Sequence, residues 1–182
     1  MRAIHERVRG TDPKGRRYSA SDPHLLQWVH VAEVHSFLRA YQTFGPEPLS
    51  TEETDTYVAQ TAVAATRLGV VDPPTTALAL ARRLADYRPE LEGTPAAREA
   101  ARFLLLDPPL PLLARPGYTT LAAGGVALLP GRARGMLGLP VPSPLVRLVA
   151  RPVGAFGTGA VRWAITGLGE RRPSDAPAER SA

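Results

Sequence analysis

Cysteine is absent from this chain of 182 residues. That absence excludes disulfides, thiolate nucleophiles and cysteine-ligated metal centres. Any metal or cofactor must be held by His, Asp, Glu, Tyr or backbone. Histidine is scarce: only His5, His24, His30 and His35 occur. Lysine is nearly missing. Lys14 is the only one, and the other 21 of the 22 basic residues are Arg, a bias that fits a GC-rich coding genome. Aromatics make up 6% of the chain, and the arginines are scattered without an aromatic-interleaved stripe. The net charge of +5 therefore does not point to nucleic acid.

Long apolar runs are also missing. The longest uncharged stretch, Pro116 to Gly131, has 16 residues, short of the roughly 20 that a membrane-spanning helix needs. The opening MRAIHERVRG is charged from its second residue and has no apolar signal core. These features predict a soluble, cytoplasmic chain with no transmembrane segment. The Leu/Pro-rich C-terminal half is compatible with a peripheral membrane contact. Walker, GxGxxG, GxSxG and HExxH patterns do not occur.

What is present is helical. The 19 prolines and 16 glycines cluster between periodic segments, and no stretch alternates apolar with polar residues, so no sheet is expected. A short first helix is predicted over residues 2–9, ending at Gly10. A turn-rich loop follows over 11–21. The segment 22–44 opens at Ser21 or Asp22 with Pro23 in its first turn, ends at Gly45-Pro46, and is apolar nearly all round. It is read as the buried central helix. Further helices are expected from Ser50 or Thr51 to Leu68, from Thr76 to Tyr87, over 95–106 with Thr94 as cap, over 117–129 and over 143–168. The whole reads as an all-α, single helical domain over 1–169 with proline-rich connections, and a disordered polar tail over 170–182.

Chemistry is concentrated on a few side chains. Gln27, His30 and Glu33 are spaced three apart, a polar line on an otherwise apolar helix. In one reading His30 and Glu33 satisfy each other or a backbone group. In the other, His30 faces a cofactor or substrate cavity and Glu33 orients it. His5 sits beside the apolar Ile4 and Val8, with Arg9 four residues on. It is either a helix-surface residue or an inward imidazole suited to be an axial haem ligand. His24 lies next to a helix N-terminus and is expected to be exposed. His35 is five residues from His30 and points about 140° away on an ideal helix, so the two cannot share a metal.

Several strings carry a resemblance: Ile4-His5 with Val8-Arg9-Gly10, Tyr18-Ser19-Ala20, Asp22-Pro23, Leu25-Leu26, Trp28-Val29-His30, Ser36-Phe37-Leu38, Tyr41 and Gly45. Leu68-Gly69-Val70, Thr94-Pro95 and Leu137-Gly138-Leu139 continue it. The chain thereby resembles, over residues 1 to about 168, the MpaB-type oxygenases, a bacterial and fungal family that includes the latex-clearing rubber oxygenases. The string 22–45 is the most specific part. The resemblance implies an all-α fold with haem b in a helical pocket. It also implies O₂ chemistry on an apolar, isoprenoid-like substrate, with oxidative cleavage of C=C bonds in the rubber-cleaving members.

The resemblance places His5 as the metal ligand, with Arg9 beside it toward the cofactor; the polar line on the central helix makes His30 and Glu33 the expected catalytic residues lining the pocket. His30 is the alternative ligand. Family members carry a preceding helical region with an Arg…Thr pair that is not found here. The chain is therefore expected to be an N-terminally shortened member with apolar surface left uncovered around Ile4, Val8 and the central helix. The alternative to an oxygenase is a degenerate, non-catalytic helical paralogue that binds a partner or a lipid.

Overall fold

The computed structural model describes residues 2–12 and 14–139. The helix expected over 143–168 and the tail over 170–182 lie outside the described residues. Helix dominates, in the order α1 (Arg2–His5), β1 (Arg9–Thr11), β2 (Arg17–Ser19), α2 (Pro23–Phe44), α3 (Thr51–Leu68), α4 (Ala77–Asp86), α5 (Pro95–Leu106), α6 (Arg115–Leu128) and α7 (Gly131–Met136). The fold is predominantly all-α. Among the described residues, no helix is long and apolar enough to cross a membrane.

The N-terminal end corrects one expectation, that of a helix over 2–9 in a chain without any sheet. The first helix stops at His5 and does not run to Arg9, and β1 pairs antiparallel with β2, Gly10 opposite Tyr18. The cause is the turn between them. Asp12 Oδ1 accepts from the backbone N–H groups of Lys14 and Arg16 at 2.9 and 2.8 Å, and Gly15 takes a φ of +80°, which suits a residue without a Cβ. Gly10 is no helix cap. It lets the Tyr18 ring lie on the strand, since a methyl there would stand 2.6 Å from Tyr18 Cζ.

The helix starts follow local chemistry. Asp22 caps α2 by accepting from His24 N–H, and Pro23 fills the first turn. Ser50 and Glu53 form a reciprocal capping box on α3, and Gly69 closes that helix in the left-handed region at φ 102°. Thr76 and Thr94 cap α4 and α5.

The core sits where α2, α3 and α4 meet. Val31 and Val34 of α2, Val58 of α3 and Leu80 of α4 are buried together, with Leu38, Tyr57 and Leu84 packed around them. Fully burying a side chain such as Val31, Val58 or Leu80 contributes about 1.5–3 kcal/mol. Asp55 of α3 locks the start of α4 by accepting from Ala77 N–H at 2.7 Å.

The central-helix reading needs a second correction. The segment forms the expected long helix, yet it is not the most buried one. Two of its residues are buried, against four in α3: Thr54, Val58, Ala62 and Ala65. Val29 and Phe37 remain 57% and 58% exposed, and Ile4 and Val8 are exposed as well. Apolar residues surround α2, and among the described residues its main neighbours α3, α4 and α6 leave Val29 and Phe37 exposed.

Candidate functional site

The position of each polar side chain on α2 follows from its register. Steps of three residues turn back about 60° on a helix. Gln27, His30 and Glu33 therefore fan out instead of forming a line. Gln27 points into the α4 side: its Nε2 donates to the carbonyls of Val71 and Asp72 at 2.8 and 3.2 Å, and its Oε1 accepts from the Tyr87 hydroxyl at 3.0 Å. Glu33, at the other end of the fan, is exposed. His30 falls between them.

His30 Nε2 is buried and has no hydrogen-bond partner. Satisfaction of His30 by Glu33 is thus not realised at that nitrogen. Burial holds the His30 pKa below its ordinary value, and the Glu33 carboxylate acts in the opposite direction. The imidazole is consequently neutral at physiological pH, with a nitrogen free to accept or to ligate.

His5 also carries an unpartnered ring nitrogen. Its Nδ1 is buried without a partner. The ring lines a cavity of about 150 Å³ together with Ser21, Pro23, Leu26, Leu68 and Gly69. The end of α1, the start of α2 and the end of α3 meet there. Arg9 does not share a helix with His5. It stands in β1, is exposed, and donates from Nε to the Glu6 carbonyl at 3.3 Å, next to the cavity that Glu6 also lines.

Pro23, Leu26 and His30 lie on one flank of α2 at helical spacing of three and four. His30 is thus one turn beyond the His5 cavity along that flank. A second, larger cavity of about 570 Å³ lies further along. It is lined by Phe37, Leu38 and Tyr41 of α2, Leu49 of the connecting loop, and Tyr57 of α3. Glu52 and Glu53 border it.

The remaining histidines are engaged elsewhere. His24 is exposed as expected, yet its Nε2 meets Glu90 Oε2 at 2.7 Å and its ring lies 4.8 Å from that of Tyr87. His35 is half-buried, with its pKa lowered by burial and then by Arg39. Tyr87, which sequence reading passed over, joins His24, Gln27 and Trp28. Its partners stand some 60 residues away in the chain, so no local pattern announces it. Among the described residues, no group of three or more His, Asp or Glu side chains could hold a metal ion. Ligation by a single histidine is not subject to that requirement.

Two buried imidazole nitrogens without partners fit the donor chemistry of a haem ligand. The cavity at His5 is smaller than the roughly 300 Å³ at which small-molecule sites begin. Comparison with curated proteins and with solved structures gives no match. Residues 1–163, most of the chain, match the family model described as "ER-bound oxygenase mpaB/B'/Rubber oxygenase, catalytic domain", and the chain belongs to that family of oxygenase catalytic domains.

Proposed function

We propose that the domain is a haem-dependent oxygenase that oxidises or oxidatively cleaves an apolar, isoprenoid-like small molecule with O₂. The carrying observation is the pair of buried, partnerless nitrogens, His5 Nδ1 and His30 Nε2, in a chain of an oxygenase family. Leaving such groups unsatisfied costs free energy in any protein, and a ligand at either nitrogen removes that cost.

His5 is the proposed iron ligand, as the family resemblance implies, and His30 is the proposed pocket imidazole. Bound haem supplies the activation of O₂. The chain's own contribution is ligation, orientation and dryness. Pro23, Leu26 and Leu68 keep water from the His5 ring. His30, held neutral by burial, can accept a hydrogen bond at Nε2, and Glu33 tunes its basicity through charge. Arg9, bonded to the carbonyl of Glu6 at the cavity's edge, is the proposed partner of a haem carboxylate.

The second reading, a non-catalytic helical protein that binds a partner or lipid, is favoured by the open apolar surface at Ile4, Val8, Val29 and Phe37. Absorbance spectra of the full chain, produced with a haem precursor supplied, separate the two. A haem Soret band is expected in the wild type and in His30→Ala, and is expected to be absent from His5→Ala. Loss in His30→Ala with retention in His5→Ala moves the ligand to His30. A wild type without haem overturns the oxygenase reading in favour of the second.

A further inference from the structure

The start of α2 and the end of α4 enclose a cluster that the proposed function does not use. Trp28, Tyr87 and His24 stand side by side, with ring centroids 5.3 Å apart for the first pair and 4.8 Å for the second. Tyr87 is buried, Trp28 is half-buried, and the side chains of His24 and Glu90 are 55% and 54% exposed. Exposure thus rises from a phenol in the interior to a carboxylate in water. His24 Nε2 meets Glu90 Oε2 at 2.7 Å, and its Nδ1 lies 3.5 Å from the Tyr87 hydroxyl.

Donors and acceptors fix the roles in this cluster. A carboxylate only accepts, so the contact with Glu90 puts the imidazole proton on Nε2. Nδ1 of the neutral ring is then an acceptor that faces Tyr87. Gln27 is oriented as firmly. Its Nε2 donates to the carbonyls of Val71 and Asp72, which turns Oε1 toward the phenol. The Tyr87 hydroxyl has one proton and three acceptors around it: His24 O and Gln27 Oε1 at 3.0 Å, and His24 Nδ1 at 3.5 Å. Of these, the imidazole nitrogen is the base. Burial raises the pKa of the phenol, Arg83 lowers it, and Glu90 and Asp22 raise it, with a net upward shift. Plain ionisation is therefore opposed. Once an electron has left the ring, the phenol becomes a strong acid and the nearby nitrogen can take its proton.

We infer that Tyr87 is a redox-active tyrosine, with Trp28 as its electron gateway and His24 as its proton acceptor. The oxidant is an oxygen-derived radical of the hydroxyl or alkoxyl class that reaches the half-buried indole. It takes one electron from Trp28, which becomes a radical cation, and is itself reduced to hydroxide or alkoxide. Tyr87 returns one electron to the indole. Its O–H bond breaks, the proton goes to His24 Nδ1, and a neutral phenoxyl radical remains on the buried ring. His24 then holds a proton on each nitrogen, and the Glu90 carboxylate stabilises that imidazolium. A small reductant of the ascorbate or thiol class gives one electron back to Tyr87, His24 gives back the proton, and the cluster is restored. A domain of an oxygenase family works with O₂, the source of such radicals. The cluster itself needs no haem and does not depend on His5 or His30.

The test uses the full chain and photogenerated tris(bipyridine)ruthenium(III) as the one-electron oxidant. Electron paramagnetic resonance and transient absorbance follow the indole and phenoxyl radicals. The wild type is expected to pass from an indole to a phenoxyl radical, more slowly in deuterium oxide than in water. Tyr87→Phe is expected to cut the phenoxyl yield by about tenfold and to prolong the indole radical. Tyr18 and Tyr41, 46% and 44% exposed, are competing phenols, and a yield that survives Tyr87→Phe overturns the inference. His24→Phe keeps a ring against Tyr87 and removes the base, so the step from indole to phenoxyl is expected to slow by about tenfold or more. Trp28→Phe is expected to slow the arrival of the phenoxyl radical by a similar factor. Glu90→Gln, at an exposed position, is expected to slow the same step by about threefold. It carries the test if circular dichroism shows that His24→Phe does not fold. Unchanged rates in the folded His24 and Glu90 variants leave Tyr87 as a structural tie and overturn the inference.

Discussion

The hydroxyl of Tyr87 donates to Gln27 Oε1 at 3.0 Å, and through it the end of α4 is tied to the first half of α2. The same oxygen lies 3.0 Å from the His24 carbonyl, and the Tyr87 ring packs at 5.3 Å from that of Trp28. Tyr87 is only 4% exposed, so these contacts are made away from water. They fix the register of α2 against α4, and thereby which flank of α2 carries His30.

Removal of that hydroxyl tests the tie. Tyr87→Phe keeps the ring and leaves Gln27 Oε1 without its donor. A loss of about 1–3 kcal/mol is expected for a buried acceptor left unsatisfied. Urea denaturation measures it, and an unchanged midpoint would show that water replaces the hydroxyl. His30 is not a partner of this group, so the haem spectrum is expected to stay as in the wild type.

Acid should weaken the fold through the half-buried histidines. Burial lowers the pKa of both His30 and His35 below the ordinary value of 6.5. The unfolded chain then binds more protons than the folded one as pH falls through that value. Their contribution to stability is full above pH 6.5 and is lost as pH falls toward and through the lowered folded values. Urea midpoints measured from pH 7.5 to 5 are expected to decline. His30→Gln, which has no proton to take up, is expected to decline less steeply. Glu33→Gln removes the charge that opposes the burial effect, so its decline is expected to be steeper. Identical slopes in all three proteins would refute the assignment.

The parts of this molecule that were legible in its sequence are those decided by neighbours in the chain. Ser50 with Glu53, Thr76, Thr94 and Gly69 each announce a helix end, because their partners lie within four residues. The hairpin was not legible. Its strands have three residues each, too few for alternation to register, and its turn depends on how Asp12 orients two backbone N–H groups. The exposure of α2 was not legible either. Periodicity tells that Val29 and Phe37 are apolar but not whether anything covers them. Of the candidate site, the residue types were readable and their surroundings were not. His5 and His30 stand out as histidines beside apolar residues, while the burial of their nitrogens, the fan of Gln27, His30 and Glu33, and the strand position of Arg9 emerge only from the fold.

The core described above also governs the order of assembly. Val31, Val34, Val58 and Leu80 all come from three successive helices with short connections, so their contacts close small chain loops at little entropic cost. The nucleus of the molecule is therefore expected to form before α5, α6 and α7 dock. Amide hydrogen exchange reads this directly. The slowest-exchanging backbone groups are expected in α2, α3 and α4, and equal protection in α5 would contradict it. A chain built this way is expected to leave the ribosome with its α2–α4 core already packed while the rest is still being synthesised.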